Sequence, residues 1–272
     1  MIPLILIDVD GTLVGASGTV TDAVWAAVGR ARDRGQHLAL STARGAFASS
    51  WNMAQQLDPE GWHVFHAGGA IVHAGTGEAR GHALEAADIE TIRALEHADG
   101  NDDWILELYS PNAYAIESDA VPAVDHAGLM GVPFEANSFD DFLAANDTIV
   151  RAQMVVPVAD IARVHEHVDP MGLSVTSATS PIMPGIAFVS ITQPGITKAT
   201  GITSICEILG LTIDQVMMIG DGLNDLPALK AVGHPVAMGN AEDEVKAVAN
   251  HIVASVEDDG VVEALELSTV LS

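Results

Sequence analysis

Residues 1–7 form an apolar, β-branched run that stops abruptly at Asp8-Val9-Asp10-Gly11. A run without polar alternation has no solvent face, so it reads as a strand buried on both sides, inside a parallel sheet. Such a sheet needs helices on its faces, and the sequence supplies them. Residues 21–34 read as an amphipathic helix, with Trp25 and Val28 on one side and Gly35 as its stop. Residues 37–40 are a second strand ending at Ser41-Thr42, and Val64-Phe65 and Ile71-Val72 bracket a turn at Gly68-Gly69. Late in the chain the alternation returns: helix 198–209, strand 216–219, helix 226–231, strand 236–237 and helix 242–248. Both ends therefore predict a doubly wound α/β domain.

The middle has a different rhythm. Between residues 82 and 188 the pattern predicts a helix, strands at 104–109 and 113–117, a helix, a strand at 149–156, a helix and two more strands. Adjacent strands on short turns predict an antiparallel sheet, an α+β unit inserted into the α/β domain. The expected division is 1–81 with 190–272 for the α/β part and 82–189 for the insert. The turn-rich stretches 77–84 and 184–195 are the expected crossings.

Composition narrows the function. With 11 Lys+Arg against 37 Asp+Glu the formal charge is −26, which would repel nucleic acid and anionic membranes over most of the surface. An apolar fraction of 49% is enough for a packed core. Cys206 is the single cysteine, so an internal disulfide and a multi-cysteine metal site are excluded, and a reducing cytoplasm is expected. The opening run lacks a basic leader, and no apolar stretch approaches the ~18 residues of a membrane span.

Against that background the polar groups at strand ends stand out. Asp8 and Asp10 follow the first buried strand, at the carboxyl end where open α/β sheets place ligands. A D-x-D-G sequence also occurs in calcium loops, but those need a further ligand before the glycine and a closing glutamate, both missing here. Gly220-Asp221-Gly222-Leu223-Asn224-Asp225 follows a second buried strand and opens a helix. So many carboxylates in one crevice repel one another unless a cation sits among them, and hard oxygen ligands favour Mg²⁺. Lys198, one of only three lysines, starts a helix, and Ser41-Thr42-Ala43-Arg44 ends the second strand. A cation, a hydroxyl, helix N-termini and a metal together make a cradle for phosphate. Singly, Lys198 reads as a solvated helix-end charge and Thr42 as a helix cap. Their order along the chain gives the combination its weight.

Together these motifs resemble the haloacid dehalogenase superfamily of phosphohydrolases, in particular its Cof-type sugar-phosphate phosphatases. The matching residues are DVDGTL at 8–13, STAR at 41–44, Lys198 and GDGLNDLPAL at 220–229, with VAMGNA at 236–241 and DDGVVEAL at 258–265. The resemblance implies a Rossmann-like core carrying an inserted α/β cap that sets substrate specificity. It implies that Asp8 attacks phosphorus and becomes an aspartyl-phosphate. Asp10 then serves as acid and base, and Thr42 and Lys198 hold the phosphoryl oxygens, beside Ala43 and Arg44. It also implies Mg²⁺ at the Asp8 and Asp221 side chains and the Asp10 carbonyl. Asn224 touches the phosphoryl group or a metal-bound water, Asp225 orients Lys198 or the metal waters, and Gly11 and Gly222 support the turns. The expected partner is a small phosphorylated metabolite. Transfer to an acceptor sugar and non-catalytic phospholigand binding are the alternatives, and substrate and oligomeric state stay open. In one place the chain departs from the pattern: relatives usually read N-G-A where it has Gly68-Gly69-Ala70, losing one polar side chain.

Other signals point to structure. His165 and His167 lie two apart on an expected helix, on different faces, so they are not a chelating pair. His66 reads as a strand-end histidine rather than a substrate contact, Trp25 and Trp104 as core, and Cys206 as buried and inert. Arg44 is open between a substrate contact and a structural ion pair.

Overall fold

The opening run becomes the strand Leu4–Ile7, buried at every position, in the computed structural model, which describes residues 1–271. His37–Leu40 lies parallel to it on one side and Val216–Gly220 on the other. His234–Ala237 and His251–Ile252 continue the sheet, giving five parallel strands. The chain thus leaves the first strand to one side and later returns on the other. This reversal of strand order leaves a crevice at the carboxyl ends of the two central strands. Ile7 is in register with both Leu40 and Ile219, so the residues after these strands emerge along one edge. Trp62–Phe65, Ala70–His73 and Ala79–Gly81 form a smaller sheet, tied to the first by a bridge between Ser41 and Val64.

Local chemistry accounts for the helices. Asp22–Asp33 starts where the Thr21 hydroxyl accepts from Val24 N at 3.2 Å, and it buries Val24, Ala27, Val28 and Ala31. Its apolar stripe is centred on the Val24–Val28 pair, which leaves Trp25 at the margin, half-buried rather than core. Lys198–Leu209 follows Thr197 and ends at Gly210, with Cys206 buried inside it. No helix among the described residues is long and apolar enough to cross a membrane.

The chain divides into two compact units, the first made of residues 1–44, 50–79 and 197 onward, the second of 45–49 and 80–196. The second holds an antiparallel sheet in the order Tyr114–Ile116, Ile105–Tyr109, Arg151–Pro157, Met183–Thr192, Ser174–Ser180. Alternation along its strands makes two apolar faces. Leu106, Leu108, Met154 and Val189 pack with residues of Ala86–Glu96, Phe139–Ala145 and Ile161–Val168. Ile105, Val155 and Phe188 pack with Ala123 of Val121–Met130. Two helices therefore stand where one was expected, because Gly131-Val132-Pro133 interrupts the run.

A larger difference lies at 184–195. This stretch is not a crossing turn but most of the strand Met183–Thr192. Pro184 and Gly185 sit where the pairing register shifts between Met183 and Ala187, so they mark a bulge at a strand's start. The chain leaves the second unit only after Pro194-Gly195.

Within the second unit a carboxylate is fully buried. Glu107 Oε2 accepts from the Tyr109 hydroxyl at 2.6 Å and from Gln153 Nε2 at 2.7 Å, while His126 Nδ1 lies 2.6 Å from Oε1. Segment 45–49 completes this end of the sheet. Ala46 N donates to Pro111 O, and the Phe47 ring lies 6.4 Å from Tyr109 and 5.9 Å from Tyr114, centroid to centroid.

Candidate active site

Asp8 leaves the first strand with its backbone N–H still bonded to Ile219 O, so its position follows from the sheet register. Its carboxylate is buried and accepts from Lys198 Nζ at 2.5 Å. The same ammonium, wholly buried, donates to Asp225 Oδ1 at 2.5 Å. Asp225 Oδ2 accepts from the backbone N–H groups of Asp221 and Gly222, both at 3.1 Å. Asp225 therefore fastens the loop after the third core strand and fixes Lys198 with one side chain.

Asp221 faces this pair and is itself oriented. Thr12 Oγ1 donates to its Oδ1 at 3.0 Å, and Asn240 Nδ2 lies 3.3 Å from its Oδ2 while donating to Gly11 O at 2.8 Å. Gly11 has φ +85°, and a Cβ there would overlap the Asp221 carboxylate, so a glycine is required for the two loops to meet. Thr12 and Asn240 carried no role in the sequence reading, although both lie inside motif stretches, DVDGTL and VAMGNA. Their signal was proximity to a motif aspartate, visible only once the strands pair.

Asp8, Asp221 and Asp225 each present a carboxylate oxygen, all within 4.8 Å of one another, and no His or Cys joins them among the described residues. The crowding has an electrostatic cost. Burial pushes the Asp8 carboxyl up to about 7, against the pull of Lys198, and Asp225 adds to the rise. Burial also raises Asp221, though the Thr12 hydrogen bond opposes it. Burial would lower the Lys198 ammonium, but Asp8 and Asp225 outweigh it and hold the group above its ordinary value. Three carboxylates around one ammonium, all oxygen donors, fit a hard divalent cation.

Thr42 is buried, its N–H bonded to Val64 O and its Oγ1 accepting from Arg44 N at 3.2 Å. Ala43 is exposed beside it, as are Asn224 and Asp10. The Asp10 carboxylate turns away from the acidic trio to Arg44, accepting from Nε at 3.0 Å and Nη2 at 2.5 Å, a two-pronged pair. His63 is a structural residue: its Nδ1 accepts from Leu40 N at 3.0 Å, and burial lowers it to about 4, so it stays neutral.

The turn after Trp62–Phe65 ties into the same region. His66 N donates to Arg44 O and Ala67 N to Thr42 O, both at 2.9 Å. His66 is buried and opens the turn after the strand. Gly68 lies against the start of Lys198–Leu209, where a Cβ would overlap the Thr197 carbonyl. The missing Asn side chain thus has no room in this conformation.

The chain is similar to known proteins along nearly its whole length. A family model described as haloacid dehalogenase-like hydrolase matches residues 5–265. The 5-amino-6-(5-phospho-D-ribitylamino)uracil phosphatase YcsE of Bacillus subtilis (strain 168) is 26% identical over 97% of this chain and 94% of its own length. A solved Bacteroides thetaiotaomicron structure, described among phosphatases of the haloalkanoate enzyme superfamily, is 25% identical. It covers 100% of this chain and 96% of its own, with a TM-score of 0.78. A haloacid dehalogenase-like hydrolase from the same organism superposes with a TM-score of 0.82 over 98% of this chain and 99% of its own, at 24% identity.

Proposed function

Because the chain belongs to the haloacid dehalogenase-like hydrolases, we propose that this phosphatase uses Mg²⁺ to hydrolyse small phosphate monoesters through a phosphoaspartate at Asp8. One observation carries the reading: Asp8, Asp221 and Lys198 converge at adjacent strand ends with more negative charge than the single lysine offsets. Asp8 and Asp221 side chains, with the Asp10 carbonyl, would hold the metal. When bound, it neutralises charge on the phosphoryl oxygens and keeps Asp8 ionised at neutral pH.

The chain's own groups do the rest. Asp8 attacks phosphorus, forming the Asp8–phosphorus bond as the bond to the leaving oxygen breaks. Lys198 stays fixed by Asp225 and offsets charge on both Asp8 and the phosphoryl oxygens. Thr42 donates its hydroxyl proton to a phosphoryl oxygen, while its own oxygen accepts from Arg44 N. The Ala43 backbone and the Arg44 and Asn224 side chains complete the phosphate cradle. Asp10 gives a proton to the leaving oxygen, then takes one from the water that cleaves the phosphoaspartate. Gly11, Gly222 and Asp225 support the two loops. The insert at 82–189 is assigned selection of the leaving group, which would be a small phosphorylated metabolite.

The test is release of inorganic phosphate from a panel of monoesters, including sugar phosphates and a phosphorylated ribitylamine, the class named for the Bacillus relative. Release that needs only Mg²⁺ and water supports hydrolysis. Release of none, with transfer to an added acceptor sugar, would identify a phosphotransferase. Binding without turnover would identify a phospholigand-binding protein.

A further inference from the structure

Three consecutive residues, His66, Ala67 and Gly68, have positive φ, at 51°, 54° and 101°. Left-handed backbone is costly for residues with a Cβ, and two such residues in succession persist only where their surroundings hold them. Here the surroundings are the functional loops themselves. On one side, His66 N and Ala67 N donate to the carbonyls of Arg44 and Thr42. On the other, the Gly68 backbone presses on the Thr197 carbonyl, with Lys198 N 3.1 Å from where a Cβ would stand. One turn along the same helix, a Cβ on Gly201 would lie 3.3 Å from Gly68 Cα and 2.5 Å from Val64 Cγ1. The helix that carries Lys198 is therefore seated on this left-handed turn at two levels, both without side chains.

We propose that Gly68 is a positioning residue: the left-handed turn at 66–68 fixes the start of the Lys198 helix and so holds Lys198 Nζ between Asp8 and Asp225. The inference rests on the phosphatase reading above, and it extends it to a residue that touches neither substrate nor metal. Lys198 Nζ has little slack, since it meets both carboxylates at 2.5 Å. Any side chain at position 68 must push the first helical turn away by on the order of 1 Å, a misplacement that can cost about 10²-fold in rate. Read this way, the departure from N-G-A is not a lost contact. Gly68 is what allows the helix to come this close, and an asparagine restored there would act as a wedge.

The experiment compares Gly68→Ala, Gly68→Asn, Lys198→Ala and the double variant Gly68→Ala/Lys198→Ala. The readouts are single-turnover rate with an activated aryl phosphate and inhibition by orthovanadate, with folding checked by circular dichroism. Gly68→Ala is expected to lose about 10–10²-fold in rate and Gly68→Asn at least as much, against roughly 10²–10³-fold for Lys198→Ala. Because Gly68 acts through Lys198, adding Gly68→Ala to Lys198→Ala should cost less than about 2-fold more, a non-additivity that general loosening would not give. A crystal structure of Gly68→Ala should show Lys198 Nζ drawn out of hydrogen-bond reach of Asp8. If Gly68→Ala does not fold, Gly201→Ala takes its place in the cycle with a smaller loss, since its main obstacle is the Val64 side chain. Wild-type activity in Gly68→Asn, losses that multiply in the double variant, or an unmoved Lys198 in the crystal would each overturn the proposal. If the wild type releases no phosphate, the phosphatase reading fails instead, and the position of Lys198 in the variant crystal still decides the structural claim.

Discussion

Each of the two units buries a cluster of polar side chains, and the clusters are built on opposite principles. In the second unit one carboxylate, Glu107, meets Tyr109, His126 and Gln153, three partners from its own and neighbouring elements. Its demand is met within the protein. In the first unit three carboxylates, Asp8, Asp221 and Asp225, crowd together with one ammonium that bonds only the first and last of them, and their residues come from positions up to 217 apart (225 − 8) in the chain. That demand is not met, and Asp8 and Asp221 show it in their raised proton affinity. A closed network specifies a fold, whereas an open one waits for a ligand. The burial of Tyr109 fits the closed kind: desolvation, with Glu107 nearby, lifts its hydroxyl well above the ordinary range, so it remains a donor.

Substitutions should break this contrast cleanly. Asp8→Asn is expected to have the largest effect, a loss of turnover on the order of 10⁴-fold or more, equal to about 5.5 kcal/mol of barrier. Its melting temperature in chelator should stay level or rise, because a crowded charge has gone. A stable but inactive protein is the signature of the open cluster, and full activity in this variant would refute the role of Asp8. Asp10→Asn should follow, losing about 10²–10⁴-fold on alkyl phosphates. An activated aryl ester needs little protonation of its leaving group, so this variant should accumulate phosphoenzyme with it. Intact mass after a rapid acid quench would detect it, and a label on any residue but Asp8 would sink the scheme.

The mirror-image test lies in the second unit. Glu107→Ala leaves its buried donors without their acceptor and should cost about 3–5 kcal/mol of stability, read by urea unfolding. The molecules that remain folded should keep turnover on an aryl phosphate within about 3-fold. If activity fell as far as stability, the two clusters would not differ in kind.

The smallest effect comes from the metal. Mg²⁺ at 100 times its dissociation constant should add about 2.7 kcal/mol, measured as a shift in melting midpoint against chelator. The pH dependence sharpens it. With Asp8 at about 7 in the folded protein and 3.8 ordinarily, the folded state holds a proton between these values that the unfolded chain has lost. Metal-free stability should therefore fall as pH rises from about 4 to 7, then level off. Mg²⁺ replaces the proton, so its stabilisation should be larger at pH 8 than at pH 5. An equal shift at both would argue that the cation binds elsewhere.

Much of this was legible in the sequence, for identifiable reasons. Two apolar runs, each ending in an aspartate or Gly-Asp, read as buried parallel strands, and parallel register then brings Asp8 and Asp221 to one edge. Lys198 was conspicuous because lysine is scarce. What stayed hidden depended on tertiary pairing. Nothing local says that Asp10 turns to Arg44, that Asp225 fastens its own loop, or that Thr12 and Asn240 orient Asp221. Pro184 and Gly185 misled for a similar reason, since a bulge and a linker use the same residues and only the partner strand tells them apart.

Segment 45–49 carries a lesson for anyone who would exchange parts between such proteins. The second unit looks like a single insertion at 80–196, yet it also claims these five residues from an earlier stretch of chain. A graft cut only at 80 and 196 would leave behind Phe47, whose ring lies beside Tyr109 and Tyr114, and Ala46, which bonds Pro111. The transplanted piece would arrive with an uncovered aromatic pair, and the host would keep a loop shaped for a departed neighbour. The unit of inheritance is thus two segments, and the shorter one begins immediately after Arg44, the residue that holds Asp10.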